Sequence, residues 1–280
     1  MSDLKIAVMV SNLKMDAYEG FKVIAEMGVP GVHLSVGSGP FAPTALDASA
    51  RKALVAHLKG MGLEISALSS WGGKVDLCEE EGIDAHIEDG KRTLELAADL
   101  GYGIWQAHIG IMPRDASSPR WATLVDAVGQ IATHGEKVGA CLAIETGPEP
   151  PRIVKRLIET VGSKGVRVNY DPANLILWSA SLAAREGKAY DKDKAIRDFE
   201  PIEGVTTVGR YIVHTHAKDA LVQDDGVRKE VPLGTGWVEW GRYISLLDAQ
   251  GYDGYYAIER ETGEDPVGDI RRAVDFLRSL

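Results

Sequence analysis

Short, unbroken apolar runs alternate with longer stretches whose apolar residues recur every three or four positions, and the alternation continues along the whole chain. An unbroken run bounded by turn residues predicts a strand buried on both faces. The longer spacing predicts a helix with one apolar stripe. Strand and helix in strict succession predict a parallel α/β fold. The first strand is expected over residues 5–10 and its helix over 15–27, closed by Gly28. A second strand at 31–35 leads through the turn-rich GSGPFAPT to a helix over 45–61, again closed by a glycine, Gly62. The third strand, 63–68, opens into a longer loop, SSWGGKVDLCEEEGID, whose Trp71, Gly72 and Gly73 suit a segment that covers a substrate.

The second half keeps the pattern. A helix over 85–100 ends at Gly101, and the fourth strand, 103–108, carries Gln106 and His108 on one face. A helix over 121–138 feeds the strand CLAIE, then PPRIVKRLIETVG starts a helix at proline, followed by the strand VRVNYD and the helix NLILWSASLAAREG. The segment AYDKDKAIRDFEPIEGVTTVG is an insertion expected to add one short helix before the seventh strand, YIVHTHAKD. A loop and helix, LGTGWVEWGRYISLLDAQGYDG, the strand YYAIE and the amphipathic helix DPVGDIRRAVDFLRSL complete eight strands and eight helices. No linker or shift in composition divides the chain, so residues 1–280 are expected to form one domain, a single (β/α)8 TIM barrel; such barrels fill about 250 residues.

Four of these strands end on a group able to bind metal: Glu145, Asp171, His216 and Glu259. They lie 26, 45 and 43 residues apart, each interval about one strand-plus-helix unit, so they converge only if successive parallel strands close into a barrel with its site at the C-terminal mouth. One such carboxylate alone is often a helix cap. Three carboxylates gathered in a partly buried site require a compensating cation. One imidazole with three carboxylates suits a six-coordinate divalent ion, with Mn²⁺ the first choice and Mg²⁺ or Co²⁺ as alternatives, rather than a tetrahedral structural zinc.

Composition narrows the class. The formal charge is −10 and no basic stripe is present, which argues against binding to a nucleic-acid backbone. The N-terminal apolar run, with Asp3 and Lys5 beside it, is too short for a signal sequence or a membrane span, and Cys78 and Cys141 form no disulfide framework. A cytoplasmic protein without membrane contact is expected, with its cysteines reduced and order throughout apart from the termini.

The runs AIETG, NYDPAN, VHTHAKD, LGTGWVEW and GYDGYYAIERE, taken together, resemble the xylose isomerase-like TIM-barrel superfamily, in particular the sugar phosphate isomerase/epimerase group with its ketose 3-epimerases and inosose dehydratases. The resemblance covers nearly the whole chain. It implies that Glu145, Asp171, His216 and Glu259 hold the metal and that Glu145 and Glu259 transfer protons on opposite faces of a sugar substrate. Two departures stand out. Many relatives have a histidine three residues after the sixth-strand aspartate, where this chain has Asn174, which can bond a sugar hydroxyl but does not titrate near neutral pH. The epimerases' further glutamate is not in register, and Glu149 is the nearest candidate.

The residues fit proton abstraction beside a carbonyl through an enediolate, which leads to a metal-dependent isomerase or epimerase of a ketose or keto-sugar. The alternative is a lyase or dehydratase acting on a keto-sugar or keto-inositol. A nuclease of the AP-endonuclease type, which lacks support from a third-strand histidine, and a non-catalytic sugar-binding barrel stand behind these. His108, Asn174, Lys218 and Trp71 are the expected substrate contacts. His33, Trp178, Arg260 and Glu261 are weaker candidates, and His214, deeper on its strand, is expected to support the site from behind. No phosphate-binding Arg/Lys cluster is evident, which favours an unphosphorylated small-molecule sugar. Assembly into homo-oligomers is compatible with the resemblance.

Overall fold

Eight parallel strands close on themselves in the computed structural model, which describes residues 4–280. Asp3, one of the two charges noted near the N-terminus, lies outside the described residues. In chain order the elements begin β1 (Ile6–Met9), α1 (Ala17–Glu26), β2 (Gly31–Ser35), α2 (Ala48–Gly60), β3 (Glu64–Ser70) and α3 (Ile83–Leu100). They continue β4 (Ile104–Ala107), α4 (Pro119–Val138), β5 (Cys141–Glu145), α5 (Pro151–Val161), β6 (Val166–Tyr170) and α6 (Pro172–Arg185). After α7 (Lys192–Phe199) and α8 (Gly204–Val208) come β7 (Ile212–Ala217), β8 (Asp219–Val222) and β9 (Arg228–Val231). The chain ends with α9 (Trp240–Ala249), β10 (Tyr256–Ile258) and α10 (Pro266–Arg278). The barrel runs β1, β2, β3, β4, β5, β6, β7, β10 and back to β1, every neighbouring pair parallel.

Alternation along each strand sorts the side chains. Val8, Val32, Leu34, Trp105, Ile144 and Val168 face outward into one continuous apolar core shared with the helices. The inward positions carry small and polar groups instead. Ala7, Tyr255 and Ala257 form one small cluster, and Ala67, Ile104 and Ala143 form another. Gly31 sits where a Cβ would come within 2.7 Å of the Ala7 side chain and 2.6 Å of the Tyr255 ring, so only glycine lets β2 close against that floor. Helix starts follow side-chain caps. Asp16 accepts from the Tyr18 N–H at 2.9 Å and Asp47 from the Ala50 N–H at 2.8 Å, which sets α1 and α2 a little later than the apolar spacing alone suggests.

Two expectations are corrected. The insertion before the seventh barrel strand forms two helices, α7 and α8, where one was expected. The segment after β7 is more than a loop: β8 and β9 pair antiparallel as a separate hairpin, from Asp219 opposite Val231 to Val222 opposite Arg228. Asp219 then organises the following turn, accepting from the N–H groups of Gly234, Gly236 and Val238 and from Trp240 Nε1 at 3.0 to 3.2 Å. Its pairing is therefore with this turn and not with Lys218. No helix among the described residues is long and apolar enough to cross a membrane.

Candidate metal centre and sugar site

The inward alternation of β5 and β7 places Glu145 and His216 at the C-terminal end of the barrel, Asp171 follows β6 directly, and Glu259 follows β10. Donor atoms of these four residues lie within 4.8 Å of one another, and all four side chains are buried. His216 Nδ1 is 3.0 Å from Glu145 Oε1, 3.2 Å from Glu259 Oε2 and 3.6 Å from Asp171 Oδ2. None of these approaches is aligned as a hydrogen bond from the ring, and Asp171 Oδ2 likewise has no hydrogen-bond partner. Asp171 uses its other oxygen, Oδ1, to cap α6 through the Asn174 N–H at 2.9 Å. Three carboxylates and an imidazole aimed at a common point, with a buried acceptor orphaned among them, fit a divalent cation with a preference for oxygen ligands.

The surrounding groups hold these donors in place. Glu145 Oε2 accepts from Gln106 Nε2 and lies 3.1 Å from His108 Nε2, while Oε1 accepts from Asn174 Nδ2 at 2.9 Å. Lys218, itself buried, donates to Glu259 Oε2 at 2.9 Å and to Glu261 Oε2 at 2.6 Å. Burial opposes charge on all of them, yet the balance differs from group to group. His108 and His216 hold Glu145 below its ordinary range, and Lys218 and His216 hold Glu259 well below it. Glu259 and Glu145 hold His216 well above its usual value, and Glu259 and Asp171 do the same for Lys218. For Asp171 burial prevails and pushes the carboxyl up to about 6. The three carboxylates thus favour positive charge at this point, which a proton on His216 or a divalent cation would supply.

Above the cluster opens a mouth cavity of about 910 Å³, and Gln106, His108, Glu145, Asn174, Lys218 and Glu259 all line it. Trp71 lines it too, held with φ of +69°, a left-handed conformation that a bulky residue adopts only when its surroundings impose it. Its indole donates to Asp89 Oδ2 at 2.8 Å and meets the Trp105 ring edge-on, with ring centres 4.6 Å apart. In the same cavity wall the hydroxyls of Ser11, Ser35 and Ser69 form a band, with Ser35 Oγ 3.1 Å from Ser11 and 3.2 Å from Ser69. Arg228 and Glu230 reach the cavity from the β8–β9 hairpin.

The lesser candidates divide between the cavity and its surroundings. His33 is fully buried below the cavity and does not line it. Arg260 and Glu261 do not pair with each other: Arg260 bonds Glu230 at 2.7 Å and Asp269 at 2.9 Å, and Glu261 belongs to Lys218. Trp178 faces the cavity, with the Arg185 guanidinium 5.2 Å from its ring centre. Glu149 lies outside the cavity, its Oε1 accepting from the Met112 N–H at 2.6 Å. Gln106 and the serine band went unrecognised as site residues in the sequence. A glutamine in an otherwise apolar strand was the available signal for the first, and nothing marked the serines.

Residues 21–280 match the family described as xylose isomerase-like TIM barrel, and the chain belongs to that family. β1 precedes the matched stretch yet completes the barrel. A crystal structure of a xylose isomerase domain protein from Planctomyces limnophilus superimposes with a TM-score of 0.80 at 25% identity, covering 100% of this chain and 97% of that one. A xylose isomerase-like TIM barrel protein from Mycobacterium smegmatis, solved in complex with magnesium, shares the fold with a TM-score of 0.73 at 18% identity, covering 99% and 96%. Among curated proteins, L-ribulose-5-phosphate 3-epimerase UlaE of Escherichia coli is 39% identical over 71 residues, a stretch that spans 25% of this chain and 24% of the relative.

Proposed function

We propose that this protein is a divalent-metal-dependent isomerase or epimerase acting on a ketose or related keto-sugar, built as one domain over residues 1–280. The observation that carries the reading is the convergence of Glu145, Asp171, His216 and Glu259, of which Glu145 and Glu259 line a cavity walled by hydroxyls, amides and tryptophan. These four residues would hold the ion, Mn²⁺ in preference to Mg²⁺ or Co²⁺. A divalent cation there supplies electrophilic pull on a substrate carbonyl and its neighbouring hydroxyl, lowering the cost of the enediolate.

The chain's own groups do the rest. Glu259 receives Lys218 on Oε2, which leaves Oε1 to take the α-proton, and the ammonium keeps the carboxylate charged and fixed in position. Glu145, held by Gln106, His108 and Asn174 and open to the cavity, is the partner that takes a proton from solvent and returns it on the other face of the sugar. His108 and Asn174 also present polar edges to substrate hydroxyls, and Trp71 offers an apolar face to the sugar ring. Lys218 is committed to Glu259 and Glu261, which leaves Lys74 and Arg228 as the other cations lining the cavity, and because the sequence holds no Arg/Lys cluster for a phosphate we assign the site to an unphosphorylated sugar. A cytoplasmic setting accords with the free thiols of Cys78 and Cys141.

The test is product analysis. Mn²⁺-loaded protein is incubated with ketoses, 3-keto-sugars, inososes and ketose 5-phosphates, with Glu145→Gln and Glu259→Gln as controls. An epimer or isomer that forms only with intact glutamates bears the proposal out. An unsaturated or cleaved product would replace it with a lyase, and exclusive turnover of the 5-phosphates would overturn the assignment of the sugar.

A further inference from the structure

Beneath the four converging donors, the barrel interior holds a second polar layer: His33 on β2, Ser66 on β3, Asn169 on β6 and His214 on β7, all fully buried. Both register shifts of the barrel lie beside it, one between Val32 and His33 against β3, the other between Val168 and Asn169 against β7. Such irregularities re-aim neighbouring side chains and gather near functional sites. His214 is already committed, with Nδ1 2.8 Å from Asn169 Oδ1 and Nε2 3.3 Å from Ser66 Oγ. His33 is not. Neither of its ring nitrogens has a hydrogen-bond partner among the described residues, and the same holds for His216 Nε2.

The two unsatisfied rings are neighbours. Their centres are 5.2 Å apart and a ring nitrogen of each lies within 4.8 Å of one on the other, so a rotation of the rings brings two nitrogens to about the 3 Å of an N–H···N bond. His216 turns Nδ1 toward the three carboxylates, so they do not serve Nε2. A metal-ligating imidazole needs an acceptor for its second N–H, which fixes both its tautomer and its orientation. In its neutral form the His33 ring carries one N–H and keeps one acceptor nitrogen.

We propose that His33 is a positioning residue for the metal centre, accepting the Nε2 hydrogen of His216 and so holding that ring with Nδ1 presented to the cation. The proposal rests on the reading of Glu145, Asp171, His216 and Glu259 as metal ligands. It differs from a cation site made of His33, His214 and His216, because both nitrogens of His214 already have partners.

The experiment measures Mn²⁺ affinity of the full chain by chelator competition for wild type, His33→Gln and His33→Phe. Glutamine keeps an acceptor and phenylalanine does not. His33→Phe is expected to bind Mn²⁺ about 10- to 100-fold more weakly, with His33→Gln close to wild type and the metal-free thermal midpoint of His33→Phe no lower. In parallel, ¹⁵N NMR of Mg²⁺-loaded wild type should show His216 protonated at Nε2 with an N–N coupling across the hydrogen bond to a His33 ring nitrogen, which decides the matter even if His33→Phe does not fold. Equal affinity in wild type and His33→Phe, an unprotonated Nε2, or a protonated Nε2 with no coupling to His33, overturns the proposal. So do two Mn²⁺ ions per wild-type chain falling to one in His33→Phe, since His33 would then be a ligand. Absence of Mn²⁺ binding by wild type would instead bring down the metal reading itself.

Discussion

Glu149→Gln separates two roles for the loop after β5. Resemblance to the epimerases makes Glu149 the nearest candidate for their further glutamate, whereas the structure turns its side chain away from the mouth cavity into a site where it is 3% exposed. Burial there pushes the carboxyl from 4.5 up to about 8. The unfolded chain releases this proton near 4.5 and the folded chain holds it until about 8, so stability is undiminished below 4.5 and declines as pH rises between those values. At about 1.4 kcal/mol per pH unit, the buried acid costs about 3 kcal/mol at pH 7 and about 5 kcal/mol above pH 8. Glutamine keeps an oxygen for the Met112 N–H and carries no charge. The variant should therefore exceed wild type in stability by about 3 kcal/mol at pH 7, with the difference closing near pH 4.5. Urea unfolding at three pH values reads this, alongside turnover of whatever sugar the wild type converts. A stability difference that does not change with pH would refute the burial argument, and a turnover loss of about 100-fold would restore Glu149 to the chemistry.

Other consequences follow from the same geometry. Lys218→Met should lower kcat by about 100-fold with a smaller change in KM, because it leaves Glu259 without its ammonium; steady-state kinetics check this, and unchanged kcat would remove Lys218 from the mechanism. Mn²⁺ affinity should rise with pH from neutral into the alkaline range, since His216, held well above its usual value, must lose its proton to bind metal; a flat profile in chelator competition would contradict the assignment of His216. In the metal-free chain the same proton supports folding below about pH 6.5 and is lost as pH rises through the raised value, so metal-free stability should fall with alkalinity. Trp71→Gly should raise KM several-fold by removing about 1 kcal/mol of stacking, with thermal stability little changed because glycine also relieves the loop of a strained φ; an unaltered KM would take the indole off the substrate.

The barrel was legible because a parallel sheet buried on both faces demands unbroken apolar strands, and Gly28, Gly62 and Gly101 punctuate the helices where left-handed closure needs them. The convergence of Glu145, Asp171, His216 and Glu259 was legible for the same reason: strand ends in a closed barrel share one rim. The β8–β9 hairpin was not, although Asp225 and Gly226 between two short alternating runs are a hairpin signal; the turn-rich segment beyond it read as continuous loop. α8 escaped because GVTTV is a single turn rich in β-branched residues, held by tertiary packing and not by propensity. The direction of Glu149, the commitment of Arg260 to Glu230 and Asp269, and the isolation of His33 depend on contacts between residues far apart in the chain, which spacing does not encode.

The proposed function requires this site to remove a proton beside a sugar carbonyl, and solvent deuterium exchange followed by NMR reads that step. Mn²⁺-loaded wild type should wash deuterium into the α-position of at least one ketose, keto-sugar or inosose, while metal-stripped protein and Glu259→Gln should not. Stoichiometrically bound metal with no exchange in any of these sugars would contradict it.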